Sequence, residues 1–102
     1  MVRRKKRTVT SYINGRPWKI SFEGKTHKDL DGDCWWRKKL IRVFKNSGGK
    51  YEPETVVHEL LHAVFPDMPE EEVMQAGKDL TNALCECDIH FTKGLVRGNK
   101  EF

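Results

Sequence analysis

The sequence predicts an α+β fold, a small antiparallel sheet of about three strands packed on two consecutive helices. Three observations lead there. Apolar residues alternate along the first half of the chain around turn-forming pairs. In the second half they recur at helical spacing behind two prolines. And 102 residues leave room for a single domain.

Residues 1–7 hold Arg3, Arg4, Lys5, Lys6 and Arg7 and are expected to form a basic flexible tail ahead of one domain over 8–102. Thr8 to Phe22 reads as a hairpin: Val9, Ser11 and Ile13 alternate with polar partners, Asn14-Gly15 is a two-residue turn signal, and Trp18, Ile20 and Phe22 resume the alternation. Gly24 to Gly32 is polar and turn-rich, which predicts a loop. A third strand is centred on Lys39–Lys45, where Ile41 and Val43 share one face before Asn46-Ser47-Gly48-Gly49 breaks the run. Trp35 and Trp36, adjacent on the approach to it, should point one inward and one outward.

Pro53 suits the first turn of a helix and Glu54 its positive end. Val57, Leu60, Leu61 and Val64 then recur at helical spacing until Pro66, predicting a helix over 53–65. Pro69 with Glu70, Glu71 and Glu72 starts a second helix over 69–86, with Val73, Ala76, Gly77, Leu80 and Leu84 on one face. Ile89 and Phe91 predict a short strand before a frayed end.

Hydrophobic residues make up 37% and charged residues 33% of the chain, enough for a thin core that a metal or a partner would reinforce. The net charge of +4 is concentrated at one end: five of the 19 Lys/Arg fall in residues 3–7, and the remainder, 14 basic against 15 acidic, is near neutral. Such an arm adds salt-sensitive affinity for phosphate, or serves solubility alone. Three cysteines, Cys34, Cys85 and Cys87, are odd in number and irregularly spaced, as expected of reduced thiols rather than a disulfide framework. No apolar run approaches the roughly 20 residues of a membrane span, and the basic start leads into polar residues rather than a signal-peptide core. These features point to a soluble, cytoplasmic protein with no membrane partner.

Residues 58–62 read His-Glu-Leu-Leu-His, the HExxH pattern. Two histidines at i and i+4 lie about 40° apart on a helix, roughly 6 Å from one another, so both imidazoles reach one zinc ion. Glu59 between them can serve as general base toward a metal-activated water. On the helical wheel His58, Glu59 and His62 fall off the stripe formed by Val57, Leu60, Leu61 and Val64, as a metal site beside the core requires. A hydrolytic zinc site takes three protein ligands and keeps one position open. An extended HExxHxxGxxH site is excluded, because Phe65 replaces its glycine and Met68 its third histidine. The third ligand is then expected from Glu70, Glu71 or Glu72. Relative to the inward face of the second helix, Glu70 lies about 60° away, Glu72 about 100° on the other side and Glu71 nearly opposite.

The stretch from Ile41 through Leu84, with a strand followed by "VVHELLHAVFP" and "MPEEEVMQAGKDL", resembles the minimal zincins of bacteriophages and prophages, and more distantly the ImmA/IrrE-type metallopeptidases. In the latter the ligand glutamate opens a segment similar to E-x-x-A-[N/D]-x-F-A-x-x-L, and Glu70, Val73, Ala76, Gly77 and Leu80 fall in its register. The resemblance implies Glu70 as the third zinc ligand, a peptide or protein substrate, and a setting inside a phage-infected bacterial cell. It also assigns Lys39–Lys45 as the strand that lines the cleft and pairs with extended substrate, the alternative being an ordinary internal strand.

Weaker signals remain. Cys85 and Cys87 with Cys34 or His90 could build a second, structural zinc site, or be incidental thiols; His27 carries no assignment. Tyr51, just ahead of the motif helix, can donate to an oxyanion or simply pack. The sequence therefore supports a zinc metallopeptidase in which His58, His62 and Glu70 hold Zn²⁺ and Glu59 is catalytic. The competing expectation is a zinc-stabilised binding module with little or no proteolysis, contacting nucleic acid through residues 3–7.

Overall fold

Asn14 and Gly15 take positive φ angles of 52° and 78°, the backbone of a two-residue hairpin turn that matches strand twist, and so join β1 (Arg7–Ile13) to β2 (Arg16–Thr26). The computed structural model describes residues 7–27 and 29–89. β3 (Gly32–Trp35) and β4 (Leu40–Lys45) follow, then α1 (Pro53–Val64) and α2 (Glu70–Glu86). Arg3 to Lys6, and the residues from His90 onward that include Phe91, lie outside the described residues.

The α+β class and both helices are as expected, but the sheet has four strands in the order β1-β2-β4-β3 and is mixed rather than wholly antiparallel. β1 pairs antiparallel with β2 and β3 antiparallel with β4, whereas β2 and β4 run parallel, aligning Ile20 with Ile41 and Phe22 with Val43. The physical reason lies in β4. Its Ile41 and Val43 are wholly buried, which demands a neighbour on each side, so the chain leaves β2, lays β3 on the far edge and returns into the gap. The predicted loop over 24–32 is shorter than expected, because β2 runs on to Thr26 through an irregularity after Phe22. The strand alternation also stops at Trp35. Trp36 opens the turn to β4, closed by Lys39 N–H donating to Trp36 O at 3.1 Å, and both indoles are exposed instead of one facing inward.

α1 lies across the sheet, burying Val56 and Ala63 on Ile13, Trp18, Ile20, Phe22, Ile41 and Val43. α2 packs on α1, where Val73 is fully buried against Val57 and Leu61. Two orphan carbonyls at the end of α1 are met by residues in the turns between strands: Asn14 Nδ2 donates to Val64 O at 3.2 Å and Trp36 Nε1 to His62 O at 3.0 Å. α2 ends in a left-handed cap at Asp88, with Ile89 N–H bonded to Leu84 O at 2.8 Å, so Ile89 closes the helix and does not begin a strand. Among the described residues no helix is long and apolar enough to cross a membrane.

Candidate metal centre

His58 and His62 occupy successive turns of α1, and α2 begins at Glu70 after the Pro66–Pro69 turn. The packing of Val73 on Val57 and Leu61 brings that first turn of α2 over the two imidazoles. His58 Nε2 and His62 Nε2 are 3.2 Å apart, Glu70 Oε2 is 3.1 Å from His58 Nε2, and Glu70 Oε1 is 2.9 Å from His62 Nε2. A tetrahedral zinc with arms of about 2.0–2.1 Å separates its ligand atoms by about 3.3 Å, near the spacing of the two imidazoles, and one donor from each of the three residues lies within 4.8 Å of the others. The donor set, two imidazoles and a carboxylate, is of the kind zinc takes in hydrolytic sites. Glu71 and Glu72 are exposed on α2 and do not join the cluster.

Glu59 departs from the expectation that it lies off the buried surface: only 8% of it is exposed. α1 has neighbours on several sides. The sheet and α2 cover the apolar stripe, and β3 covers the side that carries Glu59. The approach is close enough to require glycine, since a Cβ at position 32 would sit 2.8 Å from Arg42 O, 3.0 Å from Thr55 Cγ2 and 3.1 Å from Glu59 Cγ. Gly32 was not a sequence-level candidate; its signal is the Asp31-Gly32-Asp33 run at the start of an unforeseen strand. Burial, then the neighbouring charges of Asp33 and Glu70, push the Glu59 carboxyl from its ordinary 4.5 up to about 7. Among the described residues it has no hydrogen-bond or ion-pair partner, and it faces the cleft beside the triad.

That cleft has two arms meeting at Gly32, His58, Glu59 and Glu70. The larger, about 680 Å³, extends past Asp31, Glu54 and Met74; the smaller, about 280 Å³, is walled by Cys34, Trp36 and His62. The Trp36 ring stands edge-on to His62, centroids 6.3 Å apart, in addition to its bond to the His62 carbonyl. Burial, with Glu59 and Asp33 nearby, pushes the Cys34 thiol up to about 12, which keeps it protonated and unreactive.

The strand assigned to line the cleft is corrected. β4, which takes in the predicted stretch from Leu40 to Lys45, is internal, hydrogen-bonded to β2 and β3, while the edge strand β3 lines the cleft. Tyr51 lies elsewhere, its hydroxyl donating to Glu23 O at 2.5 Å and its ring edge-to-face with Phe22, so it packs. The His27 ring lies tilted against Phe44, centroids 5.1 Å apart. Cys85 and Cys87 are exposed at the end of α2 and form no metal-ligating cluster with Cys34 among the described residues; His90 lies outside them. Compared with protein-family models, curated proteins and solved structures, the chain gives no match.

Proposed function

We propose that this chain is a zinc-dependent metallopeptidase. His58, His62 and Glu70 are the residues that hold the metal, and Glu59 is the catalytic base. Bound there, zinc supplies Lewis acidity and brings the pKa of a water toward neutrality. The chain's own residues do the rest. Glu59, with a carboxyl poised near 7, takes the proton of the attacking water and returns it to the leaving amine. The outer edge of β3 offers backbone N–H and C=O groups to an extended peptide, which fixes the scissile bond over the triad. Reduced thiols fit a cytoplasmic setting.

The observation that carries this reading is a pairing. Three donor atoms, one each from His58, His62 and Glu70, stand within 4.8 Å of one another, and a buried glutamate with no partner among the described residues faces the same cleft. A purely structural metal site has no use for Glu59. The test is proteolysis across a diverse peptide library by zinc-loaded protein. Wild type should cleave, and Glu59→Gln should retain zinc and lose cleavage. Silence of the wild type, or undiminished activity of Glu59→Gln, overturns the proposal.

One observation favours a zinc-stabilised binding module instead. α2 fully buries Val73 and Gly77, with Ala76 packed partly against α1, so a metal joining Glu70 to the two histidines would reinforce a small contact. That reading expects zinc to raise the melting temperature with no cleavage by any variant.

A further inference from the structure

Charge is distributed unevenly along the cleft. Beyond the triad, the larger arm carries Asp31, Glu52 and Glu54, and among the described residues no lysine or arginine lines either arm. Asp31 and Glu54 have no cationic partner among the described residues, and the Glu52 carboxylate accepts a bond from the neutral Asn46 amide. In the smaller arm the one additional carboxylate, Asp33, is held by Arg42 through Nε at 2.9 Å and through Nη2. A Zn²⁺ ion with Glu70 and Glu59 sums to zero charge, so Asp31, Glu52 and Glu54 set the potential of the larger arm. The dipole of α1 accounts for Glu54 in its first turn, but not for Asp31 ahead of β3. Glu59, 8% exposed as a residue and without a partner among the described residues, lines the same arm.

We propose that this arm takes a lysine or arginine side chain of the peptide substrate, on one side of the scissile bond only. The inference rests on the peptidase reading and names its substrate class. A cation entering the arm meets three carboxylates around one concavity, where their attractions add beyond that of a single charge on a flat surface. Outside residues 3–7 the chain is near neutral, 14 basic against 15 acidic, so a preference for cationic peptides at the cleft has to arise from the local carboxylates.

The probes are fluorescently labelled peptides, identical except for Lys, Ala or Glu at successive positions, titrated onto full-length zinc-loaded Glu59→Gln protein and followed by anisotropy. The Lys peptide should bind about tenfold more tightly than its Glu counterpart when the residue lies on one side of the centre and not the other, with the difference shrinking in high salt. The double substitution Asp31→Asn/Glu54→Gln should erase most of that preference. Glu71→Gln/Glu72→Gln, the same charge change outside the cleft, should leave it intact. Equal affinities, no measurable binding of either peptide, or a preference that survives Asp31→Asn/Glu54→Gln overturns the proposal. Wild type that cleaves peptides without this sidedness overturns it and leaves the peptidase reading standing. Sided, Asp31- and Glu54-dependent binding with no cleavage by wild type does the reverse.

Discussion

Replacing Glu59 by Gln is expected to stabilise the metal-free protein while abolishing hydrolysis. The residue is 8% exposed, and the pKa of its carboxyl rises from 4.5 to about 7 through burial and the charges of Asp33 and Glu70. Below pH 4.5 the group is protonated in both folded and unfolded chains and costs nothing. Between 4.5 and about 7 the unfolded chain ionises first, so stability falls as pH rises; above about 7 the loss is complete. At about 1.4 kcal/mol per pKa unit the rise sets an upper bound of about 3 kcal/mol. Water in the open cleft screens the charge and lowers the loss to on the order of 1–2 kcal/mol. Gln keeps the shape without the charge. In chelator at pH 8, Glu59→Gln should therefore melt about 5–10 °C above wild type, and near pH 4.5 the two should nearly coincide. Thermal or urea unfolding followed by circular dichroism at the two pH values decides it. An increment of equal size at both pH values, or a less stable variant at pH 8, refutes the argument that Glu59 is a desolvated, unpaired charge.

Glu70→Ala should lower zinc affinity by orders of magnitude in competition with a chromogenic chelator, while Glu71→Ala and Glu72→Ala alter only a first-turn helix charge worth a fraction of a kcal/mol. A Cβ at Gly77 would lie 3.8 Å from His58 Cα, ordinary contact, so Gly77→Ala should gain up to about 1 kcal/mol from helix propensity. Gly77→Leu should instead wedge α2 off His58 and weaken zinc binding; denaturation midpoints and zinc titrations read the two effects. Trp36→Phe removes the bond to the His62 carbonyl and should cost about 1 kcal/mol in urea unfolding, with Trp36→Ala costing more because the aromatic wall beside His62 goes too.

What could be read directly from the chain is local in origin. Asn14-Gly15 sets its hairpin because the turn depends on two adjacent φ angles, and Pro53, Pro66 and Pro69 bracket the helices because proline acts on its own turn. His58 and His62 converge for the same reason: four residues make about one helical turn. Glu70 among three consecutive glutamates could only be ranked. Its place over the imidazoles comes from how α2 crosses α1, through Val73 on Val57 and Leu61 and the close passage of Gly77 past His58. β3 escaped a periodicity reading, since four residues with Gly32 at their head carry almost no alternation. The parallel pairing of β2 with β4 followed from that omission. With β3 came the burial of Glu59, because that strand covers the one side of α1 on which a helical wheel shows no apolar residue. Tertiary structure alone decided these features, since each is a contact between segments far apart in sequence, whose strength depends on the packing of surfaces and not on the pattern within either segment.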